Sequence, residues 1–247
     1  MRRVNKLITI GLIGVTYLFG QVELLNPRFE FTPGTRYDQS ISSPKDYLGY
    51  ELGTEYTIYA DVLDYLRTLG EQSERLSVHP YGKTHEGRAL EYLVITSENN
   101  RERLEDIRKN NLRLADPRTI NSTVAKKIIQ ENPGIYWLSY NVHGNEASST
   151  EAVMQVAYRL AAGQDRETQT ILDNSVVILV PCINPDGRDR YVYWYKSAQS
   201  HVTNADQFDY EHDEPWPGGR TNHYWFDLNR DWVWMVHPES KGRIAAY

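Results

Sequence analysis

Two side chains that can bind a metal ion, His143 and Glu146, stand three positions apart where an apolar run ends. A nitrogen and an oxygen donor on one turn can reach the same ion from one side, and bond lengths of about 2 Å suit zinc. Gly144 lies between them and lets the backbone turn without a Cβ clash. A His-x-x-Glu pair also occurs in solvated turns, so its position directly after a predicted strand is what favours a metal site. The pattern predicts that His143 and Glu146 bind one zinc ion.

Asp227 is the candidate partner for the other ring nitrogen of His143. A metal-bound His normally donates its second N–H to a carboxylate, which fixes the tautomer and raises the basicity of the ring. The alternative is a carboxylate that caps a helix or a loop. We expect Asp227 to lie behind His143, on the side away from the ion.

Three side chains suited to binding an anion, Arg220, Asn229 and Arg230, lie close to Asp227 in the sequence. The planar fork of Arg recognises carboxylates in a way that Lys does not reproduce. Asn229 and Arg230 therefore predict a receptor for the free carboxylate at the end of a peptide. Arg220 is then placed beside the scissile carbonyl, where it stabilises the oxyanion. Any one of these Arg residues alone is more typical of a surface salt bridge, and their occurrence together with His143 favours a site.

Short motifs carry a resemblance to a known family, and they are HGNE at 143–146, NPDG at 184–187, GRTN at 219–222 and DLNR at 227–230. Together they make the chain similar to the zinc metallocarboxypeptidases, the carboxypeptidase A-like peptidases. Similarity continues back through YGKT and EGR within residues 81–88, so it covers roughly residues 55 to 247. The resemblance implies an α/β/α sandwich on a mixed central sheet, one Zn²⁺ ion, and hydrolysis of C-terminal peptide bonds.

The resemblance also assigns roles to individual residues. Arg220 matches the oxyanion arginine of the family branch with a Gly-Arg-x-Asn pattern, and Asp227 matches the carboxylate behind the first ligand. The remaining matches are the first two zinc ligands, His143 and Glu146, and the two residues that bind the substrate's terminal carboxylate, Asn229 and Arg230.

The family pattern includes a third zinc ligand, a His on a later central strand, and a Glu general base on a still later strand. After Arg230 the chain offers a single His, His237. The pair His237-Pro238 predicts the start of a helix rather than a ligand, with Glu239 near the positive end of that helix. We therefore expect the chain to be the amino-terminal part of a catalytic domain that is incomplete at its C-terminus. With two ligands it is expected to retain zinc weakly and to show little or no activity alone.

Composition limits the class of protein. A chain of 247 residues with 40% hydrophobic and 24% charged content predicts one α/β domain. The net charge of -6 excludes nucleic acid as a partner, because such binding needs a basic surface. Peptide or protein C-termini are the predicted substrate, and the oligomeric state is not indicated. The lone Cys182 excludes a disulfide framework and predicts a buried, inert thiol.

The N-terminal residues predict export from the cytoplasm. Residues 1–20 combine three basic side chains with an uncharged, mostly apolar run, which is typical of a signal peptide. A membrane-anchoring helix is the alternative, although the apolar run is short for a span. The protein is therefore expected to be secreted or periplasmic, with no stable membrane span in the mature chain. Residues 21–52 predict an irregular leader, and residues 53–247 the partial catalytic domain.

The elements that must position these residues follow from the apolar patterns. A strand over 135–142, buried on both faces, places His143 and Glu146 at its carboxyl end, where sites on such sheets lie. Residues 196–224 lack periodicity and predict a loop that forms a cleft wall. The other predicted elements are a helix over 56–69 stopped by Gly70, a hairpin of strands 75–81 and 89–96, helices near 101–110 and 124–130, a helix from a capping box at 148–151 to Gly163, and a strand over 176–183 followed by a turn at 184–187.

Two other functions remain open. In an inactive peptide-tail binding module, Asn229 and Arg230 hold a carboxylate but no water is activated. In a zinc amidase, the same site acts on N-acyl amino acids or on peptidoglycan stem peptides. Release of a single C-terminal amino acid from a plain peptide separates the carboxypeptidase from both alternatives.

Overall fold

The computed structural model describes residues 30–202 and 204–247, and residues 34–247 form one compact unit. The predicted signal peptide at residues 1–20 lies outside the described residues. One mixed sheet runs through the described part of the chain, with strands β1 (Leu76–Lys83), β2 (Ala89–Ile95), β3 (Gly134–Ser139) and β4 (Ser175–Val180). The α-helices are α1 (Pro44–Leu48), α2 (Tyr59–Gln72), α3 (Glu98–Arg101), α4 (Leu104–Ala115), α5 (Ser122–Glu131), α6 (Ser148–Ala162), α7 (Arg166–Asn174), α8 (Pro185–Ala198) and α9 (Pro238–Ala246). Short 3₁₀ turns lie at Pro117–Thr119, Tyr210–His212 and Leu228–Arg230.

The strand order across the sheet is β1-β2-β4-β3. β1 and β2 form the predicted antiparallel hairpin, with a register shift between Pro80 and Gly82. β4 pairs antiparallel with β2 and parallel with β3. The parallel pair leaves both carboxyl ends at one edge of the sheet, so the segments that follow β3 and β4 meet there.

Alternate side chains of the central strands contribute to cores on opposite faces of the sheet. Leu93 and Leu179 pack with α2 and α6 in the larger core. Val180 and Tyr92 belong to a smaller core with Leu228, on the face where α9 lies against β1. Each fully buried aliphatic side chain contributes about 1.5–3 kcal/mol. Helices therefore cover both faces, which confirms the α/β/α sandwich on a mixed sheet.

The predicted end of the first long helix at Gly70 is wrong, because α2 continues to Gln72. Gly70 is needed for packing rather than for termination. A Cβ at this position would lie 3.2 Å from the side chains of both Leu76 and Val78 on β1. The glycine therefore lets the strand approach the last turns of the helix.

The predicted burial of the 135–142 strand on both faces is also wrong. β3 ends at Ser139, and it is an edge strand of the described sheet. Ile135, Tyr136 and Leu138 are 38%, 57% and 41% exposed. An apolar run fits a strand covered on both faces, but the sequence pattern alone does not say which strands have two neighbours.

Within the predicted leader, residues 34–52 contain the short helix α1 and pack onto the larger core through Ile41 and Leu48. Tyr37 forms an isolated bridge with Gly163 and stacks on Tyr158 at 4.6 Å between ring centroids. No helix in the described ranges is both long and apolar enough to cross a membrane.

Candidate active site

The turn that carries His143 is shaped by the buried residue Asn141. Its φ of 54° is left-handed, a conformation that Asn tolerates better than most residues. Its Nδ2 donates to the carbonyls of His143 at 2.6 Å and Gly144 at 3.2 Å. Its Oδ1 accepts from Thr150 at 3.0 Å, which ties the turn to the first residues of α6. The chain therefore leaves the sheet in a rigid turn and not in a mobile loop.

Gly144 is required by a close approach of three chain segments. A Cβ at this position would overlap the backbone at Gly187, Arg188 and Gly219. The amide of Gly144 donates to the carbonyl of Arg220 at 3.4 Å. The turn after β3, the start of α8 and the 219–221 segment thus pack backbone against backbone, which brings Arg220 close to His143.

The imidazole of His143 lies between two carboxylates. Its Nδ1 is 2.9 Å from Glu146 Oε1, and its Nε2 is 3.1 Å from Asp227 Oδ1. The His143 side chain is only 8% exposed, whereas that of Glu146 is 54% exposed. One face of the pair is therefore buried, and the other is open to an ion and a substrate.

Asp227 contacts both His143 and a guanidinium. Its Oδ2 accepts from Arg220 Nη2 at 3.0 Å, and its Oδ1 accepts from the amide of Asn229 at 2.9 Å. The second contact caps the 3₁₀ turn at Leu228–Arg230, so the carboxylate is both a cap and a partner of His143. Burial raises the pKa of Asp227, but the Asn229 N–H and the Arg220 guanidinium outweigh that effect and hold its pKa below the ordinary value.

The predicted carboxylate receptor lies directly after this cap. Asn229 Oδ1 accepts from Trp232 Nε1 at 3.0 Å, which fixes the side-chain amide. Arg230 is exposed, and its Nη1 donates to the carbonyl of Asn229 at 3.2 Å. Among the described residues its guanidinium makes no ion pair, so it is available to an anion from solution. Arg220 is 49% exposed and shares its charge with Asp227.

The predicted turn at 184–187 is wrong, because these residues open the 14-residue helix α8. Asn184 caps that helix by accepting from Gly187 N at 3.0 Å, and Pro185 occupies the first turn. Asn184 Nδ2 also donates to the carbonyl of Arg220 at 3.1 Å. The sequence carries a signal for this helix, since an Asn cap followed by Pro is a common helix start, although the same residues are also common in β-turns.

The 196–224 segment contributes a residue that the sequence did not reveal. Glu214 accepts from Asn145 Nδ2 at 2.8 Å and from the amide of Gly219. It therefore joins the loop to the turn that carries Glu146. No sequence signal marks Glu214, because its partners lie 69 positions away on one side and in a pattern-free loop on the other.

His237 is the N-cap residue of α9, which agrees with the predicted helix start. Its ring belongs to a separate group with His85 and Glu239. In residues 30–202 and 204–247, His143 and Glu146 are not part of any group of three donor side chains close enough to share an ion.

The pair His143 and Glu146 nevertheless fits zinc. Two donors that each lie about 2.0–2.2 Å from one ion are about 3–3.5 Å apart, and Nδ1 and Oε1 are separated by 2.9 Å. One nitrogen and one oxygen donor suit the ion. The Asp227 contact at the other nitrogen is the usual companion of a metal-bound His.

Sequence comparison places the chain in a family. A family model described as zinc carboxypeptidase matches residues 62–245. The chain belongs to the zinc carboxypeptidase family. The resemblance inferred from the motifs is therefore confirmed. Family members depend on zinc and act on peptide C-termini, so the chain is part of a hydrolase family.

Solved structures of metallocarboxypeptidases are similar to this chain at a low level. They include the enzyme from Burkholderia cenocepacia at 18% identity and TM-score 0.47, covering 78% of this chain and 37% of that one. Carboxypeptidase A from Helicoverpa armigera matches at 16% identity and TM-score 0.44, covering 77% and 42%. The Pseudomonas aeruginosa enzyme in complex with (2-guanidinoethylmercapto)succinic acid matches at 17% and 0.43, covering 76% and 35%. This chain thus spans less than half the length of these relatives, and the zinc carboxypeptidase assignment comes from the family model alone.

Proposed function

We propose that this chain carries the zinc-binding and substrate-binding part of a metallocarboxypeptidase that hydrolyses C-terminal peptide bonds. The observation that carries the proposal is the position of the His143 ring, with Glu146 at one nitrogen and Asp227 at the other. Arg220 lies on the same Asp227 carboxylate at 3.0 Å. Metal donors, an orienting carboxylate and an anion-stabilising guanidinium thus lie in one continuous chain of contacts.

His143 and Glu146 are the residues that hold the ion in this proposal. Asp227 keeps the ring proton on Nε2, which leaves the Nδ1 lone pair for the metal. When bound, zinc supplies Lewis-acid polarisation of the scissile carbonyl and activates water for attack. The buried side of His143 excludes water from the back of the ring, while the exposed Glu146 faces the substrate.

Arg220 and Arg230 divide the binding of negative charge. Arg220 stabilises the oxyanion that develops on the scissile carbonyl, and its Asp227 contact fixes the guanidinium. Arg230, which has no ion pair among the described residues, binds the terminal carboxylate of the peptide together with Asn229. The Trp232 indole holds the Asn229 amide in place for that contact.

Two protein donors are fewer than the three of hydrolytic zinc sites. We propose that the 247-residue chain holds zinc weakly at His143 and Glu146, and that it turns over little substrate alone. The zinc content that the protein loses in the His143→Ala variant measures the occupancy of this site. If the chain binds one zinc ion tightly and His143→Ala removes that ion, the weak-binding part of the proposal is contradicted.

The test of substrate class compares two ligands that differ only at their end. A blocked dipeptide with a free C-terminal carboxylate is expected to bind at least tenfold tighter than the same dipeptide amide, measured by titration calorimetry with zinc present. Arg230→Ala removes that preference, and Arg230→Lys restores it in part because Lys lacks the planar fork. The matched control is Arg113→Ala on the exposed side of α4. Equal binding of acid and amide refutes the carboxylate receptor.

Turnover separates the remaining functions. Release of one C-terminal amino acid from the blocked peptide supports the carboxypeptidase. Binding of the acid without turnover in any zinc-loaded protein that carries this chain favours the peptide-tail binding module. Cleavage of N-acyl amino acids or peptidoglycan stem peptides, with plain peptides uncut, favours the amidase.

Export belongs to the same proposal. Cleavage after the predicted signal peptide at residues 1–20 places the enzyme outside the cytoplasm, where it meets the C-termini of secreted or periplasmic peptides. N-terminal sequencing of the mature protein tests this, and a mature chain that begins at Met1 contradicts it.

A further inference from the structure

Two separate segments bring three donor side chains together beside the start of α9. His85 lies in the turn between β1 and β2, and His237 precedes the helix. His85 Nε2 and His237 Nδ1 are 3.0 Å apart. Glu239, in the first turn of α9, adds a carboxylate oxygen, and the three ligand atoms lie within 4.8 Å of one another.

The Glu239 side chain is the second, independent sign of a ligand. It is 0% exposed, yet neither carboxylate oxygen has a hydrogen-bond partner in the described part of the chain. The backbone N–H groups of His85 and Glu239 lower its pKa, but neither reaches the geometry of a hydrogen bond. A buried carboxylate is normally hydrogen-bonded, paired with a cation or bound to a metal. A cation at this position supplies the missing partner.

We propose that His85, His237 and Glu239 form a second zinc site, separate from the pair His143 and Glu146. The donor set is two imidazoles and one carboxylate, which suits zinc and leaves one coordination position for water. This site is independent of the proposed peptide hydrolysis. Its role is to join the hairpin turn at residues 84–88 to the N-terminus of α9.

The observed spacing is close to that of a bound ion. Two donors on a tetrahedral zinc are about 3.4 Å apart, because each bond is about 2.0–2.2 Å long. The two imidazole nitrogens lie 3.0 Å apart, about 0.4 Å short of this distance. All three ligand atoms lie within 4.8 Å of one another, and His85 is exposed, so its side chain can rotate to adjust the spacing.

The amide of Asn222 also faces His237. Its Nδ2 lies 3.0 Å from His237 Nδ1, and its Oδ1 accepts from the amides of Tyr224 and Phe226. Zinc at Nδ1 therefore replaces one amide hydrogen bond, whereas zinc at Nε2 leaves it intact. Both nitrogens of a neutral imidazole serve as metal donors.

The test isolates this site in a protein whose first site has been removed. The parent for the measurement is the tag-free chain with His143→Ala and Glu146→Gln. It is expected to bind one Zn²⁺ per chain, measured by elemental analysis after gel filtration and by titration calorimetry. Adding His85→Ala, at an exposed turn position, is expected to weaken Zn²⁺ binding at least tenfold, since loss of even a supporting contact has about that effect.

The matched control is His223→Ala in the same parent. The His223 ring lies 6.4 Å from that of His85 and is exposed, but it is not a member of the donor group. The control is expected to change Zn²⁺ affinity by less than about threefold. Glu239→Gln, which keeps the shape of the side chain, is expected to weaken binding as His85→Ala does.

Two results overturn the second site. One is a parent that binds no Zn²⁺, and the other is equal affinity in the His85→Ala and His223→Ala proteins. Anomalous scattering at the zinc edge from a zinc-soaked crystal gives an independent reading, with a peak expected among the three side chains. Because the first site is absent from the parent, these results do not depend on whether His143 and Glu146 bind zinc.

Discussion

Buried charged side chains have hydrogen-bond partners in one region of the molecule and lack them in another. In the interior between α6 and α8, Glu151 is 6% exposed and accepts from the amide and hydroxyl of Thr57 and from Arg188 Nη2. In the segment of residues 214–247, which we call the rim, Glu239 and Arg243 are 0% and 1% exposed. Neither rim side chain has a hydrogen-bond partner within the described ranges. The Arg243 guanidinium instead lies 3.6 Å above the ring centroid of Trp232.

The buried charges in the interior therefore stabilise the fold, whereas those at the rim lack a partner and are candidates for binding one. The interior charges are paired, and Arg188 Nη2 and Nη1 also donate to the carbonyls of Thr57 and Ala147 at 2.8 and 2.6 Å, although Arg188 Nε has no hydrogen-bond partner among the described residues. At the rim, burial raises the pKa of Glu239 to about 7, because the loss of water outweighs the backbone N–H groups of Glu239 and His85 that lower it. Substitutions in the interior should therefore lower stability, whereas those at the rim should change binding or catalysis, or raise stability where they remove an unpaired charge.

The largest expected effect is in the interior. Glu151→Gln leaves the buried Arg188 guanidinium without its counter-charge and is expected to lower the free energy of unfolding by about 3–5 kcal/mol. Urea denaturation measures this as a shift of midpoint at constant slope. The control is Glu167→Gln, whose carboxylate is 73% exposed and pairs with Arg159 at the surface. That variant should change stability by less than about 1 kcal/mol. Similar losses in both variants remove the distinction between interior and surface pairs.

At the rim, Arg220→Ala should act on turnover and not on folding. In a zinc-loaded enzyme that carries this chain, loss of one oxyanion donor is expected to lower kcat by about 10²–10³-fold, equivalent to about 2.7–4 kcal/mol. The half-exposed guanidinium contributes little to the unfolding free energy. Steady-state kinetics and binding of an uncleaved carboxylate ligand are the two measurements. Equal losses in kcat and in ligand affinity contradict the oxyanion role.

Zinc should stabilise the rim through the second site. In the His143→Ala, Glu146→Gln parent, Zn²⁺ at 100 times its Kd is expected to add about 2.7 kcal/mol to the unfolding free energy. At the same zinc concentration, His85→Ala should lose at least about half of that gain and His223→Ala should keep most of it. Thermal unfolding with and without zinc measures the difference. A gain that persists in His85→Ala places the stabilising ion elsewhere.

The smallest expected effect is at Glu239, where substitution should raise the free energy of unfolding, whereas Glu151→Gln should lower it. In metal-free protein, Glu239→Gln is expected to raise stability by about 1–3 kcal/mol at pH 8, because it removes a buried charge without a partner. The folded-state pKa of about 7 lies above the ordinary 4.5, so the folded state binds more protons between these values. The metal-free protein with Glu239 should therefore lose stability as pH rises from about 4.5 to 7, and the Glu239→Gln variant should lose less. Unfolding with a chelator at pH 5 and pH 8 measures this. A variant that is less stable than the parent at pH 8 shows that Glu239 already has a partner.

The chemistry of the site was accessible from sequence because its spacing is local and its residue types are restrictive. His143 and Glu146 share one turn, and the 227–230 segment carries both Asp227 and the two carboxylate-binding candidates. The structure brings Asp227 to His143 across 84 positions, and Arg220 to Asp227 across 7 positions. The metal, oxyanion and carboxylate roles of these residues stay predictions.

Predictions failed where a residue's partner was distant. The capping box at 148–151 is one such case, because the N-cap of α6 is Ala147 without a side-chain bond. The Glu151 side chain lies in the interior instead, where Thr57 and Arg188, 94 and 37 positions away, provide three hydrogen-bond donors. The domain boundary at residue 53 likewise stays a prediction.

By itself, the sequence determined the local pieces of this protein: the hairpin, the amphipathic helix α2 and the turn that carries His143. These depend on side-chain periodicity and backbone geometry over a few residues. Only the tertiary structure decided which buried charges are compensated and which are not. Compensation depends on segments that approach through space, and the group at His85, His237 and Glu239 joins residues 152 positions apart.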